Sequence, residues 1–246
     1  IPYVIATLNA IMAFLLLLLI GWSNPLDLQA VIPLEGRGLN PLLQNPAMAI
    51  HPPALYLGFI GFSVPFAFAM GGLIRGKMDN EWVLTTRRWT LMAWYFLSAG
   101  LILGGQWAYE ELGWGGFWAW DPVENAAFMP WLTGTAFLHS VMIQEKHNML
   151  KIWNVVLIIL TFGLTIVGTF LTRSGIINSV HAFTQSEIGP AFLIFLALIL
   201  VIGFALLFKR IQMLESEEKI EYVLCRENVF LAQNVLLVGI AFTVLL

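Results

Sequence analysis

The stretch Trp107–Trp131 reads W-A-Y-E-E-L-G-W-G-G-F-W-A-W-D-P-V-E-N-A-A-F-M-P-W and guides the interpretation of the whole chain. It contains five of the ten tryptophans, and three of those lie between residues 114 and 120. It also contains a Gly-Gly pair at 115–116. Indole rings offer broad, stiff apolar faces, and glycine lets the backbone approach a flat ligand closely. The pattern predicts a surface for a large planar guest; tryptophans that anchor helix ends at a membrane interface are the alternative explanation.

The composition around this stretch is that of an integral membrane protein. The chain is 59% hydrophobic and 11% charged, whereas soluble domains carry about 25% charged residues. A membrane-spanning helix needs roughly 20 apolar residues, and the candidate segments are 2–21, 53–74, 89–107, 125–144, 152–171, 190–208 and 229–246. The period-two alternation of a membrane β-barrel is missing. We predict an all-α, polytopic transmembrane bundle of about seven spans, with residues 1–246 forming one integral-membrane domain of a longer protein.

Lysine and arginine are distributed unevenly between the predicted loops. Ten of the twelve lie in loops 75–88, 145–151 and 209–228, and the other two are Arg37 and Arg173. Positively charged loops remain in the cytoplasm. We therefore predict that the Trp-rich stretch and loops 22–52 and 172–189 all face outward.

Two histidines fall on the predicted outward side. His51 begins H-P-P, where the double proline is predicted to start the second helix and to hold His51 at the outer membrane surface. His181 lies in S-V-H-A-F of loop 172–189. Two neutral imidazoles across a cavity are a natural axial pair for haem iron, with tryptophans against the porphyrin and Arg173 or Arg37 near its propionates. Taken alone, each histidine is more often a polar residue at a helix end, and it is the combination with the Trp-rich stretch that favours a ligand pair.

His139 lies inside the fourth predicted span, where an ionisable side chain is costly and tends to mark a functional site. It could ligate a second, membrane-embedded haem whose other ligand is outside this chain or is not a histidine, or it could be hydrogen-bonded to a neighbouring helix. His147, in E-K-H-N, is best explained as a solvated loop residue. The scattered histidines and the single cysteine, Cys225, argue against a zinc site and against an internal disulfide.

Two carboxylates within the Trp-rich stretch have two explanations. Asp121 and Glu124 could serve acid–base chemistry, but Asp-Pro followed by x-Glu is favoured as a cap for the next helix. A solute transporter would need polar or charged residues inside its spans, or helices broken at matching positions in two halves. Apart from His139, the predicted spans show neither feature clearly.

Several motifs together resemble one known family. W-G-G-F-W-A-W-D-P-V-E-N-A-A-F-M-P-W-L is similar to the "WWD" signature of haem-handling proteins in cytochrome c maturation, and its second half resembles the CcmF branch and its nitrite-reductase-assembly relatives. H-P-P-A-L-Y-L-G-F, the helix of His139 and T-R-S-G-I-I-N-S-V-H-A-F resemble the same branch. The resemblance covers essentially the whole chain. One departure is Phe117, where tryptophan is expected; the aromatic ring is kept.

The resemblance implies two haem b sites. His51 and His181 would be the axial ligands of haem at the outward WWD site. His139 would be one ligand of a membrane b-type haem that passes electrons to the first, and the family's second ligand lies further along than this chain runs. The residues expected to bind haem are His51, His181, His139, Trp114, Trp118, Trp120, Asp121 and Arg173.

The function that the resemblance implies is that of a haem lyase component, which joins haem vinyl groups to the two thiols of a CxxCH motif in apocytochrome c. Expected partners are apocytochrome c, a periplasmic haem chaperone, the thiol-handling and apocytochrome-binding subunits, membrane lipid and, as a candidate electron donor, a quinol; no nucleic acid is expected. The expected location is the bacterial inner membrane, with the WWD segment facing the periplasm. A module that presents haem to a separate carrier is the alternative, and a transporter is a third hypothesis.

Overall fold

The computed structural model describes residues 1–26, 28, 34–36, 38–174, 179, 188–215 and 226–245. In this part of the chain all regular structure is helical, so the prediction of an all-α membrane bundle is confirmed. Short 3-10 turns occur at Pro41–Leu43 and Ile211–Leu214. The helices of the described residues are α1 (Pro2–Gly21), α2 (Pro46–Gly61), α3 (Ser63–Arg75), α4 (Glu81–Glu111), α5 (Pro122–His147), α6 (Lys151–Arg173), α7 (Gly189–Lys209) and α8 (Arg226–Leu245).

Among the described residues, five regions are long and apolar enough to cross a membrane: α1, α2 together with α3, α5, α6 and α7. They coincide with five of the predicted spans. The other two predictions, 89–107 and 229–246, fall on α4 and α8; α4 is less apolar, and α8 contributes a shorter apolar stretch. Leu17, Val201 and Leu236 are exposed by 64%, 67% and 67%, as expected for lipid-facing side chains.

Helix α4 runs the whole length of the bundle. Near its first turns Arg87 contacts Glu145 at 3.3 Å, and near its last turn Glu110 accepts a hydrogen bond from Asn45 at 2.8 Å. Its 31 residues correspond to about 46 Å at 1.5 Å per residue. Gly76 packs against the guanidinium of Arg210. The described parts of the three basic loops therefore lie at one end of the bundle, and the Trp-rich stretch lies at the other.

Helix α2 starts earlier than the sequence analysis predicts. Asn45 caps it by accepting a hydrogen bond from the backbone N–H of Ala47 at 2.8 Å, and Pro46 occupies the first helical position. Pro52 and Pro53 therefore lie inside the helix, where their missing N–H groups remove two helix hydrogen bonds. His51 is consequently in the second turn of α2 and not before its start.

Helices α2 and α4 pack closely through glycines. An ideal Cβ would lie 2.6 Å from the backbone of Leu97 if added to Gly58, and 2.8 Å from the backbone of Leu55 if added to Gly100. Such separations are too short for real side chains. Small residues let two membrane helices approach until their backbones nearly touch. We call this contact the glycine seam; it fixes α2, and with it His51, against α4.

Helix α5 lies between α4, α6 and α8, and polar side chains bind it to α6. Thr161 donates to the hydroxyl of Thr133 at 2.9 Å, and Asn154 donates to the side-chain oxygen of Gln144 at 2.7 Å. All four side chains are buried. The spans thus contain more buried polar groups than the sequence analysis recognised, and these pairs hold helices together as interhelical hydrogen bonds do in membranes.

Candidate functional site

The Trp-rich stretch begins in the last turns of α4, which ends at Glu111. It then continues through a loop into α5, which begins at Pro122. Gly113 and Gly115 have positive φ angles of 67° and 76°, which glycine adopts without steric cost. Trp120 has a φ of 57°, an uncommon conformation for a residue with a side chain. Its carbonyl accepts a hydrogen bond from the side chain of Asn125 at 3.2 Å, which helps to hold this turn.

The capping interpretation of Asp121 and Glu124 is confirmed. Asp121 accepts from the backbone N–H of Val123 at 3.1 Å, and Glu124 accepts from the N–H of Asp121 at 3.2 Å. Glu124 also accepts from the N–H of Ala119 at 3.0 Å and is buried. The two carboxylates form a capping box that satisfies backbone donors and sets the angle at which the Trp-rich stretch meets α5.

A continuous row of aromatic rings extends from this stretch into the bundle. Successive ring centroids are separated by 6.1 Å from Trp120 to Trp118, 5.7 Å from Trp118 to Phe128, 5.7 Å from Phe128 to Trp131, and 6.0 Å from Trp131 to Trp94. These spacings are typical of stabilising aromatic pairs. The row fixes the Trp-rich stretch to α4 and α5.

The two innermost indoles are also held by hydrogen bonds across the α4–α5 contact. Trp131 donates to the hydroxyl of Ser98 at 2.7 Å, and Trp94 donates to the hydroxyl of Thr135 at 2.9 Å. Each indole is on one helix and its acceptor on the other. The reciprocal bonds satisfy both N–H groups and fix the register of α4 against α5.

An open apolar cavity of about 430 Å³ lies beside the aromatic row. Phe117 stands at its edge, 59% exposed, and stacks on Tyr109 with ring centroids 4.4 Å apart. The stacked ring occupies the position where the resemblance leads one to expect tryptophan. The cavity is lined by Ser98, Leu101, Ile102, Gly105, Phe117, Trp118, Phe128 and Trp131.

His51 belongs to α2, and its side chain packs against α4. Its Nδ1 is 2.7 Å from the carbonyl oxygen of Gly100. Since a carbonyl only accepts, Nδ1 carries the proton, and Nε2 carries the lone pair with which a neutral imidazole binds a metal. The ring lies over Gly104, whereas the next residue, Gly105, faces the backbone of Phe117. One turn of α4 thus meets both the histidine and the Trp-rich stretch, but the described lining of the aromatic cavity does not include His51.

The start of α2 is fastened to the end of α4. The side-chain amide of Asn45 donates to Glu110 at 2.8 Å and to Glu111 at 2.9 Å. The bond from Asn45, with a further one from Gln106, holds the pKa of Glu110 below its ordinary value. Trp107 is fully buried and donates to the carbonyl of Leu42 at 2.7 Å. These bonds restrain the helix that carries His51.

The other predicted outward residues are placed only in part. His181 and Arg37 lie outside the described residues. Ser179, two positions before His181 in the sequence, donates its hydroxyl to Asp121 at 2.7 Å. Arg173 is exposed in the last turn of α6, and Trp114 is half-buried in the Trp-rich stretch.

His139 lies within α5, away from the aromatic cavity. Its ring is 5.8 Å from that of Phe230 on α8, and its Nδ1 is buried with no hydrogen-bond partner among the described residues. It borders a second cavity, of about 250 Å³, between α4 and α5, which Trp94 and Glu145 also line. The alternative explanation is a histidine hydrogen-bonded to a neighbouring helix. Within the described residues, Nδ1 of His139 makes no such bond.

Sequence reasoning missed the residues that support the site. These are Gly100 and Gly104, which contact His51, and Trp94 of α4, which ends the aromatic row that Phe128 and Trp131 of the Trp-rich stretch continue. The glycine spacing G-L-I-L-G is a readable signal of close helix packing in membranes. The sequence does not predict which helix packs against these glycines, because that depends on which helices become neighbours in the bundle.

Known proteins resemble this chain along most of its length. A family model described as "Cytochrome C assembly protein" matches residues 2–177. The CcmF protein of Escherichia coli is 46% identical over 245 residues, covering 99% of this chain and 38% of that protein. The chain belongs to the CcmF family of cytochrome c assembly proteins. Within this family, the CycK protein of Bradyrhizobium diazoefficiens is 54% identical over 191 residues, which are 78% of this chain and 29% of that protein.

A solved structure gives the same family and fold. The structure titled "Cytochrome c Heme Lyase CcmF" superposes with a TM-score of 0.77 at 36% identity, covering 98% of this chain and 35% of that one. The chain spans about a third of the length of the CcmF-family proteins that it matches. The family resemblance noted in the sequence is therefore confirmed.

Proposed function

We propose that this chain is the haem-holding part of a cytochrome c haem lyase, in which His51 and His181 bind haem beside the Trp-rich stretch. The observation that carries the proposal is the bond from Nδ1 of His51 to Gly100, which leaves Nε2 as the nitrogen that binds a metal. The name of the solved relative, a haem lyase, supports the reaction class.

The Trp-rich stretch, which meets the same turn of α4 as His51, supports a flat, apolar guest. Phe117, Trp118 and Trp120 present aromatic surface beside an apolar cavity, and Trp114 belongs to the same stretch. Arg173 is the cation proposed for the haem propionates. The bond from Ser179 to Asp121 holds a residue two positions before His181 against the Trp-rich stretch, which supports the pairing of the two histidines at one site.

In this proposal the chain contributes mainly positioning. Thioether formation adds each cysteine S–H across a vinyl C=C bond of the substrate haem: a C–S and a C–H bond form, and the S–H and π bonds break. Held by its iron and one face, haem keeps an edge open to the CxxCH peptide. Orienting reactants in this way removes a large entropic part of the barrier. The histidine of CxxCH then displaces one axial ligand, so His51 or His181 must be exchangeable.

His139 is proposed as a residue that would hold a resident haem b. The residues present fit a single ligand, since Nδ1 of His139 is buried without a partner among the described residues and the side chain borders a cavity. A haem bound there would supply electrons that keep the outer iron ferrous. The second ligand is expected beyond this chain, and a quinol is the proposed electron donor.

We place the protein in the bacterial inner membrane with the Trp-rich stretch toward the periplasm, where apocytochrome c and a haem chaperone would reach it. The described parts of the three basic loops lie at the opposite end, which supports this orientation. Subunits that keep the cysteine thiols reduced and present the apocytochrome complete the proposed assembly.

The test is a haem count and a reduced-minus-oxidised spectrum of the full-length protein, together with the yield of holocytochrome c in cells. We expect His139→Ala to remove the membrane haem signal and His51→Ala to abolish holocytochrome c, while His147→Ala matches the wild type. A haem-free wild type would overturn the proposal. Bound haem with holocytochrome formation independent of His51 would favour a module that presents haem to a separate carrier.

A further inference from the structure

The imidazole of His51 packs against α4 at Gly104, where the helix has no side chain. An ideal Cβ at Gly104 would lie 2.6 Å from Cε1 of His51 and 2.9 Å from its Nδ1. One turn earlier in α4, the carbonyl of Gly100 accepts the Nδ1 proton at 2.7 Å. The ring therefore occupies the space that a side chain at position 104 would fill.

We infer that Gly104 is a positioning residue for His51: by lacking a side chain, it lets the imidazole reach the carbonyl of Gly100, which fixes the Nδ1–H tautomer and makes Nε2 the nitrogen that binds iron. The link to iron rests on the proposed function. The tautomer itself does not, because it follows from contacts within this chain.

The geometry of an α-helix explains why position 104 controls the carbonyl of residue 100. Each Cα–Cβ bond tilts toward the helix N-terminus, so a residue covers the turn before its own Cα. A side chain at 104 would stand over the carbonyl of Gly100. That carbonyl serves the helix ladder and still has a second lone pair for an imidazole N–H.

Helix α2 cannot move away to make room for a larger residue at position 104. Gly58 meets the backbone of Leu97, and Gly100 meets the backbone of Leu55, both at closest approach. Asn45 fastens the first turn of α2 to Glu110. With both helices fixed, a methyl group at 104 must displace the imidazole and break its bond to Gly100.

Loss of this bond weakens iron binding in two ways. The hydrogen bond orients the ring, and it raises the basicity of the opposite nitrogen. Removing such a supporting partner typically lowers metal affinity about 10–100-fold. We expect that range for Gly104→Ala, with Gly239→Ala as the matched control, because an added Cβ at Gly239 meets nothing within 4 Å.

The first experiment is ¹⁵N NMR of histidine-labelled, haem-free, full-length protein at a pH above about 8, where imidazoles are neutral. The His51 signal is identified as the one that disappears in His51→Gln. In the wild type and in Gly239→Ala this signal should show a ring protonated on Nδ1. In Gly104→Ala it should show a changed mixture of the two tautomers. An Nε2-protonated ring in the wild type would overturn the inference even if Gly104→Ala does not fold. An unchanged signal in a folded Gly104→Ala would do the same.

The second experiment is a haem titration of the same variants, followed by added imidazole. Gly104→Ala should bind haem more weakly than Gly239→Ala and regain a low-spin spectrum with imidazole. Equal affinity in the two variants would overturn the positioning role. If His51→Ala binds haem like the wild type, the proposed function fails while the NMR result on the tautomer still stands.

Discussion

At the scale of single residues, Asp121 joins the Trp-rich stretch to two other segments. It caps α5 through the N–H of Val123 and accepts the hydroxyl of Ser179. We expect Asp121→Ala to lower the free energy of unfolding by about 1 kcal/mol through loss of the cap, and Asp121→Asn to retain most of it. Chemical unfolding in detergent measures the difference, with Ser179→Ala as the control for the loop contact. If the alanine and asparagine variants lose the same free energy of unfolding, the effect comes from the charge of Asp121 and not from the cap.

Glu110 gives a prediction for pH. Bonds from Asn45 and Gln106 lower its pKa in the folded protein, so its contribution to stability is present above the ordinary glutamate pKa of about 4.3 and is lost as the pH falls through the lowered value. The melting temperature of the wild type minus that of Glu110→Gln should be constant above this range and decrease below it. A difference independent of pH would contradict the assignment.

Residue roles were predictable from sequence only where they are local. The capping box of Asp121 and Glu124 follows from residues three apart, and it was predicted. The bond from His51 to Gly100 joins residues far apart in the chain, and it depends on how two helices meet. No spacing rule specifies that meeting, so the histidine was identified as a candidate ligand while its supporting residues were missed.

At the scale of helices, the glycine seam should govern the stability of the α2–α4 pair. A Cβ added to Gly58 would lie 2.6 Å from the backbone N of Leu97, which cannot move aside. We expect Gly58→Ala to cost about 1–3 kcal/mol by overpacking, partly offset by the roughly 1 kcal/mol that alanine gains over glycine in a helix. Gly239→Ala should show only the stabilisation that alanine provides over glycine in a helix. Unfolding by titration with a denaturing detergent compares them, and equal stabilities would refute the seam.

Helix boundaries show which sequence signals prevailed. The double proline at 52–53 predicts a helix start there, but the start is set by Asn45 and Pro46, which form an N-cap followed by an N1 proline. Both pairs offer a proline suited to the first turn of a helix, but only Asn45 also supplies a capping side chain, which accepts from the N–H of Ala47 at 2.8 Å. The start of α5 at Pro122 has a single cap signal, and it was predicted more closely.

At the scale of the whole molecule, the charge pattern predicts sidedness. In a Cys225→Ser background, a cysteine at Gly36 should react with a membrane-impermeant maleimide from the outside of intact cells. A cysteine at Lys146 should react only after the membrane is opened. The reverse pattern would invert the proposed orientation. The bundle ends were predictable because the basic loops are close in sequence to the helix ends, whereas the helix neighbours within the bundle were not.

The modest hydropathy of α4 has a consequence for biosynthesis. Helix α4 begins with Glu81, carries Arg87 and Arg88, and ends with two glutamates, yet it extends from one end of the bundle to the other. A segment of this composition partitions poorly from the translocon on its own. Helix α2 is synthesised first, so the surface that α4 requires is already in the bilayer when α4 emerges. We therefore expect the membrane integration of α4 to depend on its contact with α2, which precedes it in the chain.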